Sequence, residues 1–258
     1  LSEPREGKVN LTAMGRGLLK VNVAALAEAN DIEEVVIATR HNNQLMDQGE
    51  IAAGTRVIPL MIREEKIERV EEICRLQGPL LEIKPLRKMR TGLVTTGSEV
   101  YHGRVQDRFG PVVKAKLEEL GCPVTRQILL PDEPEQIAAA IRELIAEGAE
   151  MVMVTGGMSV DPDDATPGGV KATGAEIISY GAPLFPGAMF LLAYLGEVPI
   201  MGLPGCVMYH QSSVLDLVLP RVLAGEKLTR RDLTGLGHGG LCLDCPACRY
   251  PVCPFGKG

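Results

Sequence analysis

From residue 92 onward, short apolar runs alternate with amphipathic ones, and this alternation restricts the fold more than any other feature. Residues 92–95 read as a strand, 111–120 as a helix stopped by Gly121, and 124–129 as a second strand. A helix over 136–146, ended by Gly148, leads to Met151-Val152-Met153-Val154-Thr155. That last run is apolar at consecutive positions, the mark of a strand covered on both faces. Strand–helix–strand repeated in this way implies right-handed crossovers and a mainly parallel sheet between two helical layers, an α/β three-layer sandwich. Asp132 and Glu135 have the spacing of a capping box for the 136–146 helix. Farther on, the pattern predicts a strand over 176–179, a helix over 189–195, a strand over 200–203 and a long helix over 207–223 containing Pro220.

Residues 1–90 read as a smaller, truncated α/β segment, followed by a main domain over 91–228 and a Cys-rich tail over 229–258. In the first segment we expect a helix over 18–29, strands over 34–38, 55–62 and 80–83, and a surface helix over 63–76. Pro59 demotes the 55–62 strand to an edge or a bend. Aromatic residues are 3% with no Trp, so Ala, Val, Ile, Leu and Met must build the core. The net charge of −6 argues against a general nucleic-acid binder, which needs a basic face. No apolar stretch approaches the roughly 20 residues needed to span a bilayer, so no membrane is expected. Short cysteine spacings in an otherwise ordinary chain point to a reducing compartment, by default the cytoplasm. The chain opens on Leu1 rather than Met, which leaves a removed upstream part or leader open.

In open parallel sheets, ligands bind outside the carboxyl ends of the strands. Three loops that leave those ends carry unusual chemistry. Thr155-Gly156-Gly157-Met158-Ser159 pairs glycines that let backbone N–H groups approach an anion, or simply make a tight turn. Asp161-Pro162-Asp163-Asp164-Ala165-Thr166-Pro167 concentrates carboxylates, which is a solvated acidic turn or a Mg²⁺-assisted phosphate site. Leu203-Pro204-Gly205-Cys206 precedes the long helix, whose N-terminus would favour an anion. Cys206 reads as a small buried filler rather than a nucleophile.

Seven short motifs occur in order: Thr96-Gly97-Ser98-Glu99-Val100, Gly103-Arg104-Val105-Gln106-Asp107, Pro131-Asp132, Thr155-Gly156-Gly157-Met158-Ser159-Val160, Asp164-Ala165-Thr166-Pro167, Phe185-Pro186-Gly187 and Gly202-Leu203-Pro204-Gly205. Together they resemble the molybdopterin-binding domain. That domain is shared by molybdopterin adenylyltransferases, molybdenumtransferases and competence-damage-type proteins, and the likeness covers about residues 92–225. The resemblance implies binding of molybdopterin, or its adenylylated form, at the sheet edge. It implies Mg²⁺ and an ATP or AMP moiety, and Mg-dependent adenylyl transfer or molybdenum insertion. Asp132, Asp164 and Asp107 would be the catalytic carboxylates. Thr96, Gly97, Ser98, Glu99, Thr155, Gly156, Gly157, Ser159, Asp161, Pro204 and Gly205 would form the binding set. It further implies a homodimer or homotrimer, and partners among cofactor-biosynthesis proteins or apo-molybdoenzymes. Gly-Gly-Met-Ser-Val is similar to the molybdenum-inserting branch, and Asp-Ala-Thr-Pro to the adenylylating one. Gly168 stands where the adenylylating branch carries Glu, and Arg108-Phe109 replaces a Ser/Thr-Asn pair after Asp107. A non-catalytic cofactor carrier and a nucleotide pyrophosphatase of the competence-damage type are the competing readings.

The tail carries Cys242-x2-Cys245-x2-Cys248-x4-Cys253. Four thiolates at this density suit Zn²⁺ or an iron–sulfur cluster, and the four-residue last spacing departs from the bacterial ferredoxin run. His238 is a spare ligand at most, and the tail is also a candidate docking knuckle or redox sensor.

Overall fold

The computed structural model describes residues 1–158 and 164–257, and divides into two compact units, residues 1–86 and 87–258. The first unit holds two three-stranded antiparallel sheets. One contains β1 (Lys8–Thr12), β5 (Ile51–Val57) and β3 (Val35–Thr39), and the other β4 (Gln44–Met46), β2 (Gly17–Val21) and β6 (Leu81–Lys84). Helices α1 (Val23–Asn30) and α2 (Glu64–Gln77) share a small core of Ala25, Ala29, Ile32, Val35 and Ile73. The expected helix over 18–29 therefore begins only at Val23. Asn22 caps it by accepting from the Ala25 amide, while Leu18 and Leu19 are buried in a strand. The strand expected over 55–62 lies earlier and ends at Val57, two residues before Pro59, which has no N–H for a ladder.

The second unit is built on one six-stranded sheet, in spatial order β10-β11-β12-β9-β7-β8. Strands β7 (Thr91–Thr96), β8 (Val124–Leu130), β9 (Met151–Thr155) and β12 (Val198–Leu203) are parallel. β11 (Leu191–Leu195) runs antiparallel between β12 and β10 (Glu176–Tyr180). Helices α5 (Pro134–Ala146) and α6 (Ala165–Ala172) pack on one face, where Ile137, Ile141, Leu144 and Val170 meet Val94, Val152, Val154 and Ile200. A Cβ on Gly169 would lie 2.6 Å from Ile137, so this residue lets the two helices touch. On the other side α4 (Phe109–Glu119) is tied to α8 (Val214–Leu223) by the Lys116–Asp216 ion pair at 2.6 Å. Short α3 (Ser98–Tyr101), α7 (Cys206–Tyr209) and α9 (Arg230–Thr234) complete the helices.

Three expectations are corrected here. Residues 189–195 are not a helix but hold β11, in a hairpin with β12. A short apolar run does not distinguish a buried strand from a buried helix, and Gly196-Glu197 supplies the turn. The helix over 207–223 is two helices, because the chain turns extended at His210 and Ser213 then caps the second in a capping box with Asp216. Asp132 and Glu135 form no capping box. Pro134 starts α5 early, Glu133 takes the N-cap position, and Asp132 falls outside the helix.

The guanidinium of Arg221, buried in α8, donates to Glu226 at 2.8 Å and to Asp232 at 2.7 Å, which pins α9. Burial raises the Asp232 carboxyl. The Thr229 hydroxyl and amide, then Arg221, outweigh that effect and bring it down from 3.8 to about 2. A depressed folded value stabilises the protein above the unfolded value and is lost as pH falls through the folded one. The stability gap between the wild type and Asp232→Asn should therefore close between about pH 4 and pH 2 in urea unfolding. Parallel curves across that range would remove Asp232 from the sources of acid sensitivity.

Candidate functional site

The parallel ladder aligns four strand ends. Thr96 pairs with Leu130, Thr95 with Thr155, and Thr155 with Leu203. The segments that follow therefore leave one edge side by side, in the order Pro131-Asp132, Gly97-Ser98, Gly156-Gly157 and Pro204-Gly205. The connection after Tyr180 belongs to the same edge, since β10 and β11 are each antiparallel to their neighbour.

At the centre of this rim the chain turns sharply after β9. Gly156 has φ +90° and Gly157 φ +51°, both in the region that favours glycine. A Cβ on Gly156 would stand 2.2 Å from the Thr96 carbonyl oxygen and 2.6 Å from Thr96 Oγ1, so the turn lies directly on the end of β7. The hydroxyl of Thr166 closes the turn from α6, donating to the Gly156 carbonyl at 2.8 Å. Met158 drops into the core, its sulfur and methyl meeting the space beside Gly202, which holds the loop down. Ser159 and Asp161, both in the expected binding set, lie outside the described residues, as does Asp163.

Beside this turn the polar groups divide into two kinds. Thr95 Oγ1 accepts from Gln127 Nε2 at 2.9 Å and from the Thr155 hydroxyl at 3.1 Å. Gln127 also donates to Asp107 Oδ2 at 2.6 Å, while Asp107 Oδ1 accepts from the Phe109 and Gly110 amides at 2.9 Å each. Both oxygens of Asp107 are thus engaged in holding the start of α4 to the sheet. Its place is that of an anchor. By contrast, Thr96 is 4% exposed and its hydroxyl has no hydrogen-bond partner among the described residues. A buried hydroxyl left unpaired costs about 1–3 kcal/mol, so a group that satisfies it gains that much on binding.

The remaining expected residues take up the flanks. Asp132 is exposed and accepts from the Ser98 amide at 3.1 Å, bridging the β8 and β7 loops. Glu99 is exposed on α3. Asp164 occupies the N-cap position of α6 without capping it through its side chain. It stands close enough to Tyr180 that, after burial, its charge helps raise the phenol. Pro204 is buried and Gly205 exposed at the end of β12. α7 has only four residues, so Pro204-Gly205 leads into a short helix and not the long one expected. Burial pushes the Cys206 thiol up, as befits a filler and not a nucleophile. Gly168 is exposed on α6, and a Cβ there would meet Pro134 of α5 at an ordinary contact distance of 3.6 Å. Thr95, Gln127 and Thr166 are missed by sequence reasoning. Gln127 gives no signal there, while Thr166 sits inside the Asp-Ala-Thr-Pro motif.

The four tail cysteines line one pocket together with His210, Ser212 and Tyr250. Among the described residues no three His, Cys, Asp or Glu side chains stand close enough together to hold a metal ion as the chain lies, the rim carboxylates included.

The family described as a probable molybdopterin binding domain matches residues 92–224, more than half of the chain and the whole of this rim. The chain belongs to that family. Among curated relatives, a CinA-like protein of Mycobacterium sp. (strain MCS) is 41% identical over 90 residues, 34% of this chain and 21% of its own length. A molybdopterin molybdenumtransferase of Synechococcus elongatus is 25% identical over 147 residues, 54% of this chain and 36% of its own length. The chain thus spans about a fifth to a third of the curated relatives it matches. Solved structures with a similar course include the tungsten cofactor synthesizing protein MoaB from Pyrococcus furiosus, with TM-score 0.45 and 21% identity, covering 56% of this chain and 98% of that one. The molybdopterin biosynthesis enzyme MoaB from Thermus thermophilus gives 0.42 and 20%, covering 54% and 98%.

Thr95 and Thr96 are adjacent, buried and of the same type, which allows a clean comparison. Thr95→Val should cost about 0.5–1.5 kcal/mol in urea unfolding, because it removes the acceptor that Gln127 and Thr155 share and leaves them only Asp107 and the Val94 carbonyl. Thr96→Val should leave the unfolding midpoint no lower while weakening ligand binding at the rim. Equal destabilisation by both would mean that Thr96 is satisfied within the protein.

Proposed function

We propose that this chain acts in molybdenum cofactor biosynthesis, binding molybdopterin or its adenylylated form at the carboxyl rim of the second unit. The observation that carries the reading is the pairing of a glycine turn at 156–157 with the Thr96 hydroxyl beneath it, which has no partner among the described residues. The turn presents backbone to an anion, and the hydroxyl wants a partner there. The terminal phosphate of molybdopterin meets both demands, and the family match supplies the ligand class.

Adenylyl transfer to that phosphate is the reaction the rim supports best. It asks a protein chiefly to position two phosphates in line and to neutralise charge, with little covalent work. Gly156 and Gly157 hold the acceptor phosphate, and Thr96 fixes one of its oxygens. Asp132 and Asp164 flank the turn. Mg²⁺, held by one or two carboxylates and completed by ligand phosphates, would supply the charge neutralisation. Asp107 acts through Gln127 and Thr95 as a positioning residue for the floor of the site.

The test is pyrophosphate release by the full chain given molybdopterin and MgATP. Asp164→Ala and Asp132→Ala should each lower kcat/KM by about 10²-fold or more while changing pterin affinity little. Tight pterin binding with no turnover would replace the enzyme with a carrier that hands cofactor to apo-molybdoenzymes. Turnover of ADP-ribose in place of molybdopterin would move the chain to the pyrophosphatase branch. Absence of pterin binding would sink the proposal altogether.

A further inference from the structure

We propose that the tail is a metal knuckle, in which Cys242, Cys245, Cys248 and Cys253 bind one thiolate-preferring metal centre that clamps the tail to the sheet rim. This goes beyond the rim's own chemistry and does not rest on it.

Three observations lead there. The first is convergence: all four cysteines line a single pocket, and all are free thiols. Asp244, at φ +48°, turns the chain between Cys242 and Cys245. The second is an energetic deficit. Residues 242–257 contain no helix or strand, and only Phe255 is buried. Ordering each residue costs about 1–2 kcal/mol, which one buried ring and a few hydrogen bonds do not offset. Short segments without a core are held by cross-links, and four thiolates on one metal make one. The third is the docking of this segment. Cys242 N donates to the Phe185 carbonyl at 2.8 Å, and Phe185 N to the Gly240 carbonyl at 2.8 Å. Cys248 Sγ lies 3.4 Å from Ser212 Oγ, and the Tyr250 hydroxyl donates to the Asp216 carbonyl at 3.2 Å. Phe185 and Ser212 belong to the two connections that follow β10 and β12, which leave the same sheet edge as the glycine turn. A metal in the pocket therefore also stiffens one side of the rim.

As the chain lies, the thiols are spread around the pocket and no three stand at metal-binding distance. Binding draws in irregular chain, each thiol losing its proton to water, in the manner of sites where metal binding and ordering are one event. Four sulfurs accept tetrahedral Zn²⁺ or iron in a sulfide cluster.

The full chain, purified without oxygen, should carry about one Zn per chain, or iron with acid-labile sulfide in cluster ratio. The two arms separate the occupants, and either result supports the site. Cys245→Ser and Cys248→Ser alter exposed residues and should fold, yet lose metal to a chromophoric chelator at least about tenfold more readily. Cys74→Ser, in the first unit, should retain it. In the loaded wild type, tryptic cleavage after Arg249 should be about tenfold slower than after chelation. A chain that takes up neither stoichiometric Zn²⁺ nor a reconstituted cluster overturns the proposal. So do disulfides among the four cysteines in the freshly isolated protein, or equal cleavage with and without chelator.

Discussion

Backbone pairing among four parallel strands is the interaction on which everything else in the second unit depends. Each strand ends level with its neighbour: Thr96 against Leu130, Thr95 against Thr155, Thr155 against Leu203. A shift of one residue in any pair would turn buried positions outward and carry its loop away from the rim. The interior enforces the register, because Val94, Val152, Val154 and Ile200 must all face the α5–α6 layer. The geometry of a polar edge is thus dictated by the apolar packing beneath it, which is why this edge can carry a left-handed glycine turn and, at Thr96, a buried hydroxyl with no partner among the described residues without losing its form.

How much of this can be read in the sequence depends on which physical constraint acts locally. β9 is plain, because five consecutive buried residues can hardly be anything but a covered strand at that length. The stops at Gly121 and Gly148 are plain too, since each takes the left-handed conformation just past its helix. Residues 189–195 fail for the opposite reason. Leu191, Leu192 and Ala193 are all buried, so neither period shows, and only pairing with β12 decides the outcome. The Asp132–Glu135 spacing misleads because Pro134 is a stronger helix start than a carboxylate two residues before it. The capping box that does form, Ser213 with Asp216, closes the polar stretch His210-Gln211-Ser212-Ser213, which interrupts the span expected to be one long helix.

The site is legible in its loops and illegible in its floor. Gly156, Gly157, Asp132 and Asp164 announce themselves because small or acidic residues follow apolar strands. Gln127 does not, since nothing local distinguishes a strand glutamine that crosses to Thr95 and Asp107 from one that faces water. Its role arises only when β8 is laid beside β7. The same network changes the meaning of Asp107. Read from its motif it is an acid near a phosphate, whereas in the fold its oxygens are saturated by two amides and a glutamine.

This contrast supplies a way to separate scaffold from function along the rim. Polar groups at the ends of buried strands are costly, and a protein can tolerate them either by pairing them internally or by leaving them for a ligand. Asp107, Gln127, Thr95 and Thr155 follow the first course and form a closed chain of donors and acceptors. Thr96, one residue beyond Thr95 and on the other face of β7, has no such partner among the described residues. Alternation along a strand places these two threonines on opposite sides of the sheet's end, so one is enclosed by β8 and β9 while the other lies under the glycine turn. The rim therefore has an internally paired side and, at Thr96, a buried hydroxyl with no partner among the described residues, and the boundary between them falls between two consecutive residues.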